Sequence, residues 1–214
     1  MSIPTYIFGA GGLGRGVAET IKVISNRDRN WKLIGFIDDN DDSIGKEVDG
    51  TAVVGNTEFL LNLKTVANVV IAIGNPHAKV KIHYKLAENP NLLYPNIIHP
   101  EVNLNPSVKI GIGNIISDNT AFSSQVKIGS FTLVHFNCTI GHDVQVEDYV
   151  SIYPNASISG FSKLGMNSQI GTNASVLAEV TIGEGAFVGA GSMVNRDVLS
   201  NLTVVGAPAR EIIK

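Results

Sequence analysis

The sequence predicts two domains: an α/β domain with a short, Rossmann-like parallel sheet over residues 1–95, and a β-solenoid over residues 96–214. The solenoid is predicted by a six-residue period. From Ile98 to Val194, every sixth residue is an aliphatic or a phenylalanine, over seventeen consecutive hexads. This period fits neither a helix nor an alternating strand and is typical of a parallel β-helix. The α/β domain is predicted because short apolar strands alternate with helical stretches.

Three hexads close one triangular coil of eighteen residues, with the aliphatic residues directed inward. The residue four places after each aliphatic is usually small or a valine, and Cys138 is one of these. A glycine often follows the aliphatic directly, as in Ile140-Gly141. We expect these glycines to lie at bends where φ is unusual. Nearly six coils run to about Val198, and residues 201–214 follow as a tail.

The first domain contains six predicted elements. The strands are Thr5–Phe8, Trp31–Ile37 and Val69–Ile73, and the helices are Gly14–Ile24, Asn56–Leu63 and His77–Glu88. A proline in Tyr94-Pro95-Asn96 interrupts the chain just before the hexads begin, and it marks the predicted domain boundary. Because only three strands are visible, the second mononucleotide-binding half that a dinucleotide requires is missing.

Composition argues against several classes of protein. The net charge is −3 and no basic stripe is visible, which argues against a nucleic-acid partner. Cys138 is the one cysteine, so a disulfide framework is excluded and a reducing compartment is expected. Neither a signal peptide nor an apolar run of membrane-spanning length is visible, so we expect a soluble, cytoplasmic protein without a membrane partner.

A glycine-rich turn follows the first predicted strand and opens the first predicted helix. Its residues are Gly9, Gly11, Gly12, Leu13 and Gly14. Glycines allow the backbone to approach a ligand closely, and a helix N-terminus favours an anionic phosphate. Taken alone, the turn is also compatible with a tight βα connection that binds nothing.

Two further strand ends reach the same edge of the predicted sheet. Asp38 and Asp39 end the second strand, where a carboxylate can meet a ribose hydroxyl or a base edge. Gly74 and Asn75 follow the third strand. The three strand ends together predict a nucleotide-type ligand, and one nucleotide or a nucleotide-sugar fits better than a dinucleotide.

His142 is the candidate general base of the solenoid. It follows the inward Ile140 by two residues and should project from a corner, with Gly160 and Ala178 stacked beside it at eighteen-residue intervals. Small residues there leave a slot and expose backbone N–H groups that can bind a thioester carbonyl. Asp143 is adjacent and can orient the imidazole. An ordinary exposed corner histidine is the alternative.

Other side chains of the solenoid are weaker candidates. His135 is either structural or substrate-facing, because it lies on a different face of its coil. Cys138 points inward by the hexad phase, so no covalent nucleophile is indicated. A zinc site like that of the γ-type carbonic anhydrases needs three histidines, whereas the central coils offer two, so we expect no metal.

Five large apolar side chains are predicted to face outward from adjacent coils: Phe136, Tyr149, Tyr153, Phe161 and Met166. Scattered apolar residues are common on protein surfaces and have no special meaning. Their concentration in two or three coils makes a subunit interface an equal alternative.

Over essentially its whole length, the chain resembles the bacterial sugar acetyltransferases. These are grouped with sialic acid O-acetyltransferases and with the nucleotide-amino-sugar N-acetyltransferases of bacillosamine and perosamine synthesis. No single segment is specific for this family, and the resemblance rests on five segments in combination. They are Gly9-Ala10-Gly11-Gly12-Leu13-Gly14, Phe36-Ile37-Asp38-Asp39, Ala72-Ile73-Gly74-Asn75, the hexads with Gly141-His142-Asp143, and Val205-Gly206-Ala207-Pro208-Ala209-Arg210.

The resemblance implies a left-handed β-helix, an exception to the usual right-handed crossover, assembled as a homotrimer. It implies that acetyl-CoA lies between neighbouring prisms and that the first domain holds a nucleotide-sugar. His142 matches the general base of the family and Asp143 the acidic residue beside it, and the Gly160 N–H would meet the acetyl carbonyl. The residues expected to bind acetyl-CoA are Gly160, Ala178, Gly189, Ala190, Ala207 and Arg210.

Two departures from the family pattern concern the acceptor. Some N-acetyltransferase members carry a second histidine nine residues after the base, where this chain has Ser151, and an asparagine seven residues before it, where this chain has His135. N-acetylation of a nucleotide-linked 4-amino sugar is the preferred hypothesis. O-acetylation of sialic acid or another sugar is the alternative, and a non-catalytic trimer that binds a nucleotide-sugar is the third.

Overall fold

The computed structural model describes residues 2–28 and 30–212. Its contacts divide the chain into two compact units, and the division falls between His99 and Pro100. The boundary predicted from the sequence lies a few residues earlier, after residue 95.

Unit 1 is an α/β domain built on a six-stranded sheet. The sheet has the order β3-β4-β2-β1-β5-β6, in which all neighbours are parallel except the hairpin of β3 and β4. A 3-10 turn, Asp41–Ser43, follows β2. The six strands of this sheet are β1 (Ile3–Phe8), β2 (Trp31–Ile37), β3 (Glu47–Val48), β4 (Thr51–Gly55), β5 (Ala67–Ile71) and β6 (Leu92–Leu93). A further short strand, β7 (Ile97–Ile98), lies outside it, and the helices are α1 (Gly12–Arg27), α2 (Thr57–Leu61) and α3 (Pro76–Leu86).

The central strands and the first helix follow from their apolar patterns. All of β5 and the last four residues of β1 are buried, which is the continuous apolar run expected of parallel strands covered on both faces. The buried residues of α1 are Gly14, Val17, Ala18 and Ile21, the spacing of one helix face. Chain order reverses between β1 and β5, so the carboxyl ends of these two strands form the switch point where ligands bind in such sheets.

The sequence prediction for unit 1 was incomplete. The three-strand count was wrong because β3, β4 and β6 also join the sheet. β3 and β6 have two residues each, too few for a period to be visible. The third predicted strand ends at Ile71 rather than Ile73, and the second helix is limited to Thr57–Leu61. The number of strands therefore does not argue against a dinucleotide.

Unit 2 is a stack of three parallel sheets, the arrangement of a left-handed β-helix. Each strand of the regular coils has two residues, and each pairs with the strand eighteen residues away. The lysine face of the prism contains β8 (Lys109–Ile110), β11 (Lys127–Ile128), β14 (Gln145–Val146), β17 (Lys163–Leu164) and β20 (Thr181–Ile182). The second face contains β9 (Ile115–Ile116), β12 (Leu133–Val134), β15 (Ser151–Ile152), β18 (Gln169–Ile170), β21 (Phe187–Val188) and β23 (Thr203–Val205). The serine face contains β10 (Ala121–Phe122), β13 (Thr139–Ile140), β16 (Ser157–Ile158), β19 (Ser175–Val176) and β22 (Met193–Val194).

The interior of the prism is filled by the predicted aliphatic columns. From Ile128 to Val194 every hexad aliphatic is buried, and the small inward residues such as Cys138 and Ala156 are buried beside them. The columns stack in register, with Ile140 opposite Ile158 and Ile158 opposite Val176. The hexad prediction is therefore confirmed for these coils.

The predicted role of the hexad glycines was wrong. Positive φ angles, between 54° and 68°, occur at every sixth residue from Gly113 to Gly191, and most of these positions carry Asn or another residue with a side chain. Where a glycine follows the aliphatic directly, it lies two residues before such a position, and its own φ is not positive. At Gly141, a Cβ atom would lie 2.6 Å from the backbone nitrogen of Gly160 in the next coil. Close packing between coils, rather than φ, requires glycine there.

The predicted tail and the outward aromatics also differ in part from the prediction. Residues after 201 form β23 and then β24 (Arg210–Glu211), which pairs antiparallel with β23. Phe136, Phe161 and Met166 are exposed as predicted, whereas Tyr149 is buried and stacks on Phe131. In the part of the chain that the structure describes, no helix is long and apolar enough to cross a bilayer.

We predict that Lys79 makes the stability of unit 1 depend on pH. Lys79 lies on α3 and is buried, and this burial lowers the pKa of its ammonium group from 10.5 to about 7. Between these pH values the unfolded chain binds a proton that the folded chain does not. The free energy of unfolding therefore rises with pH across this window.

Lys79→Met should remove this pH dependence, because methionine carries no proton. The measurement is urea unfolding between about pH 7 and pH 9.5, followed by the fluorescence of Trp31, the one tryptophan, at the start of β2. Lys81→Met is the matched control, because Lys81 lies on the same helix and is exposed. An unchanged slope in Lys79→Met would contradict the prediction.

Candidate active site

The glycine turn of unit 1 divides into packed and open positions. Gly9 has a φ of 103°, and a Cβ atom at Gly14 would overlap the carbonyl oxygen of Gly9. Both glycines are therefore required by the fold. A Cβ atom at Gly11 would meet nothing within 4 Å, and one at Gly12 would meet only the Arg15 side chain, at 3.9 Å. Packing does not explain glycine at these two positions, and the open space beside them would allow the backbone to approach a ligand closely.

The N-terminus of α1 follows this turn directly and can accept an anion. Gly11 is the N-cap residue and supplies no side-chain cap, and the first turn contains no acidic residue. Leu13, the fifth predicted residue of the motif, lies in this first turn and is half-buried. Free N–H groups and the positive end of the helix dipole favour a phosphate here.

The two predicted aspartates have separate partners. Asp38 accepts hydrogen bonds from the backbone N–H of Ala10, at 3.0 Å, and of Asn40, so it holds the glycine turn to the end of β2. Asp39 accepts from the backbone N–H of Thr57 at 2.7 Å and from its hydroxyl at 2.8 Å. Both oxygens of Asp39 therefore fix the start of α2, a contact that the sequence alone did not indicate.

The third strand end lies at the same edge of the sheet. β5 pairs with β1 up to Ile71 and Phe8, and the Ala72 N–H continues the pairing by donating to the Phe8 carbonyl at 2.9 Å. Gly74 follows in the loop, and the Asn75 side chain caps α3 by accepting from the Ala78 N–H. The structure thus brings all three predicted strand ends of unit 1 together.

In unit 2, His142 lies at the corner between the serine face and the lysine face. A Cβ atom added at Gly160 would lie 2.6 Å from His142 Nε2, so the imidazole covers the α-carbon of Gly160. His142 Nδ1 lies 3.0 Å from Asp143 Oδ2. When Nδ1 donates its proton to this carboxylate, Nε2 carries the lone pair and can act as a base. The structure thus places the His142 ring over Gly160, eighteen residues later in the sequence.

The backbone N–H of Gly160 is available to a ligand. Its carbonyl accepts from the Glu179 N–H at 3.0 Å, whereas no hydrogen-bond acceptor for its own N–H lies among residues 2–28 and 30–212. Ala178 occupies the next position of the same corner and is exposed. A backbone N–H group beside an imidazole is an arrangement that can stabilise an oxyanion during acyl transfer.

Phe161 belongs to this corner, whereas the sequence indicated only an outward side chain, either an ordinary surface residue or part of a subunit interface. Its ring meets the His142 imidazole edge to face, with ring centroids 4.9 Å apart. The His142 side chain stays 52% exposed, so the contact restrains the imidazole without burying it. The signal in the sequence was its position nineteen residues after His142, which is one coil plus one residue.

A groove of about 590 Å³ opens beside the histidine corner and runs along the lysine face. Its walls include Asp143, Phe161, Lys127 and Lys163. Lys109, Lys127 and Lys163 lie on this one face at multiples of eighteen residues. The coil length thus brings three lysines that lie far apart in the sequence into one column, which Gln145 interrupts. The acidic Asp143 and Glu179 line the same groove.

The remaining predicted residues of unit 2 lie at other corners. His135, Gly189 and Ala190 share the corner between the second face and the serine face, and Ala207 and Arg210 lie in the C-terminal hairpin. Arg210 is exposed and donates to the Ala209 carbonyl at 2.7 Å. One chain therefore does not bring the predicted acetyl-CoA residues into a single cluster.

His135, Cys138 and Ser151 are largely enclosed. Burial lowers the pKa of His135 while the charge of Asp118 opposes this, and His135 Nδ1 accepts from the Phe136 N–H. Burial raises the pKa of Cys138 to about 11, so its thiol stays protonated at neutral pH and is a poor nucleophile. Ser151 is buried in β15. The described residues contain no group of three or more His, Cys, Asp or Glu side chains placed to hold a metal.

Comparison with protein families defines the class of the chain. Residues 5–86 match the PglD N-terminal domain family, and residues 161–196 match the bacterial transferase hexapeptide family of six repeats. The chain therefore joins a PglD-like domain to a hexapeptide-repeat domain. The comparison with curated proteins gives no significant match.

Several solved structures are similar over nearly the whole chain. A mutant of GDP-perosamine N-acetyltransferase from Caulobacter crescentus, in complex with CoA and GDP-perosamine, is 25% identical with a TM-score of 0.90, over 99% of this chain and 97% of that one. The acetyltransferase domain of PglB from Neisseria gonorrhoeae, in complex with acetyl coenzyme A, is 28% identical with a TM-score of 0.89, over 99% and 100%. WeeI from Acinetobacter baumannii is 25% identical with a TM-score of 0.77, over 99% and 100%. The predicted fold class and the resemblance to nucleotide-sugar N-acetyltransferases are thus confirmed.

We predict that Gly14 and Gly12 differ in their tolerance of a side chain. Gly14→Ala should lower the free energy of unfolding of unit 1 by roughly 1–3 kcal/mol, because the new methyl group overlaps the Gly9 carbonyl. Gly12→Ala, the matched control on the same turn, should change it by less than about 0.5 kcal/mol. Urea unfolding followed by Trp31 fluorescence measures both, and equal destabilisation would contradict the division into packed and open glycines.

Proposed function

We propose that the chain is an acetyl-CoA-dependent N-acetyltransferase that acts on the 4-amino group of a nucleotide-activated sugar. The observation that carries the proposal is the His142 imidazole, which lies over Gly160 with Asp143 bound to its other nitrogen. The similarity to the enzymes in complex with CoA and GDP-perosamine, or with acetyl coenzyme A, supports this donor and this class of acceptor.

The proposed reaction is direct transfer of the acetyl group. The acceptor amine attacks the thioester carbonyl carbon, and His142 Nε2 takes the proton that the nitrogen loses. The Gly160 N–H donates to the carbonyl oxygen as it becomes an oxyanion. The tetrahedral intermediate then collapses, the carbon–sulfur bond breaks, and the leaving thiolate takes the proton from the imidazolium. Asp143 holds the ring in orientation and stabilises its charged form.

We propose that each chain contributes to more than one donor site in a homotrimer. Gly160 and Ala178 lie at one corner of the prism, whereas Gly189 and Ala190 lie at another. A single donor site would therefore combine the first pair from one copy with the second pair from a neighbouring copy. The exposed Phe136 at the second of these corners is suited to such packing. Arg210 and Ala207, in the hairpin, would lie near the phosphates of CoA.

We propose that unit 1 holds the nucleotide part of the acceptor. The open glycines Gly11 and Gly12 and the uncapped N-terminus of α1 support a diphosphate at the switch point between β1 and β5. Asp38 holds the turn in place, and Asp39, Gly74 and Asn75 border the same edge, where a ribose or a base would lie. No metal is required by this scheme.

We predict that His142→Ala lowers kcat by about 10²–10⁴-fold, the usual contribution of a positioned general base. Thiol release from acetyl-CoA is measured with a panel of nucleotide-activated 4-amino sugars, and with free and CMP-activated sialic acid. CoA binding and thermal unfolding should be unchanged, because the imidazole is half exposed. Full turnover in this variant would exclude His142 as the base.

The same panel separates the competing functions. Turnover with a nucleotide-linked 4-amino sugar supports the proposal and identifies the acceptor. Turnover with sialic acid alone would assign the chain to O-acetylation. Nucleotide-sugar binding without any consumption of acetyl-CoA would leave a non-catalytic binding module.

We predict that Gly160→Ala lowers kcat by about tenfold to hundredfold while the melting temperature stays unchanged. The new methyl group would meet His142 Nε2, and the imidazole can move aside at little energetic cost but then leaves its reactive position. Ser124→Ala, at the same corner one coil before His142 and two coils before Gly160, is the matched control and should retain activity. A Gly160→Ala variant with normal kcat would contradict the stacked geometry.

A further inference from the structure

The hairpin of β3 and β4 carries an aspartate to the glycine turn of unit 1. Val48 pairs with Thr51, so the connection is the two-residue turn Asp49-Gly50. Both turn residues have positive φ, 49° and 74°, as in the tight hairpin turns that match the strand twist. Such a turn has little freedom, and it fixes where the Asp49 side chain begins.

Asp49 forms an ion pair with Arg15 on α1. Arg15 Nη1 lies 3.4 Å from Asp49 Oδ2, and the two side chains are 49% and 61% exposed. The other terminal nitrogen of Arg15 lies 3.9 Å from the point where a Gly12 side chain would begin. The guanidinium therefore lies beside the open glycines, next to the uncapped N-terminus of α1.

The ion pair has little value for stability. Exposed pairs of this kind contribute little, because water and salt screen them and two long side chains must be ordered. Arg15 is the fourth residue of α1, where a cation opposes the helix dipole. Arg15 therefore adds little to stability, although it lies at a candidate phosphate site. This combination indicates that Arg15 serves in ligand binding.

We propose that Arg15 binds the diphosphate of the nucleotide and that Asp49 competes with it for the guanidinium. The inference rests on the proposed function of unit 1 as the nucleotide-binding unit. In the free chain Arg15 is paired with Asp49. On binding, the guanidinium turns to the phosphate oxygens, with which it can form two parallel hydrogen bonds, and Asp49 is released to solvent.

The competition makes the site prefer ligands that carry negative charge. A ligand must bind the Arg15 guanidinium more strongly than the Asp49 carboxylate does. A diphosphate can do so, because it presents several charged oxygens. A nucleoside without phosphate gains nothing from Arg15. The structure therefore assigns Arg15 and Asp49 a part in selecting diphosphate-linked acceptors over the corresponding free sugars and nucleosides.

The test is a titration of the full chain with nucleoside diphosphates, GDP, UDP, dTDP and CDP, with the nucleosides themselves, and with inorganic pyrophosphate. Arg15→Gln should weaken binding of the preferred diphosphate and of pyrophosphate by about tenfold to hundredfold, the value of a hydrogen bond to a charged group. Its affinity for the nucleoside should not change. Lys22→Gln is the matched control, because Lys22 lies on the same helix in an exposed pair with Glu19.

Asp49→Asn tests the competition. It should strengthen diphosphate binding by up to about fivefold, because the guanidinium no longer has to break an ion pair with a carboxylate when the ligand binds. In the Arg15→Gln background the same change should have no effect, because the two residues act through one contact.

Each contrary result has a distinct meaning. Unchanged diphosphate affinity in Arg15→Gln, or an equal loss for the nucleoside, would overturn the role of Arg15 while the nucleotide site of unit 1 stands. Weaker binding in Asp49→Asn would overturn the competition. If no nucleoside diphosphate binds the unaltered chain at millimolar concentration, the proposed function of unit 1 fails and this inference fails with it.

Discussion

Parallel pairing between residues eighteen apart is the interaction on which unit 2 depends. The Gly141 N–H donates to the Ile158 carbonyl at 2.7 Å, and the same bond recurs from coil to coil on each face. Because the register is constant, each aliphatic side chain meets another in the next coil, and the buried side chains form continuous columns inside the prism. The same register sets His142 on Gly160, so the geometry of the candidate base is a consequence of the coil length.

In both units, glycines leave open space at a candidate site because they have no side chain. At Gly160 the absence of a side chain leaves room for an imidazole, and at Gly11 and Gly12 it leaves open backbone beside a helix N-terminus. At Gly14 and Gly141, in contrast, it only allows two parts of the backbone to pack. A motif of glycines therefore mixes structural and ligand-facing positions, and the space around each α-carbon tells them apart.

Much of the fold could be predicted because its signals are periodic or continuous. The hexads, β1, β2 and the buried face of α1 all follow patterns that extend over several residues. The two-residue strands β3 and β6 carry no pattern, and they join the sheet because neighbouring strands offer them backbone partners. The positive φ angles of the solenoid were assigned to the wrong residues, since glycine is needed for close packing at one position of a corner, while Asn tolerates a positive φ two residues later in the same corner.

By itself, the sequence determined the coil length, the inward columns and the alignment of His142, Asp143 and Gly160, because a constant repeat converts spacing along the chain into distance in space. It also indicated the three strand ends of unit 1, since parallel strands end at a common edge. Only the tertiary structure decided that Asp39 binds Thr57, that Phe161 meets His142 and that Arg15 pairs with Asp49. These contacts join side chains from turns and helix ends, whose directions depend on where the whole chain closes and leave no periodic trace in the sequence.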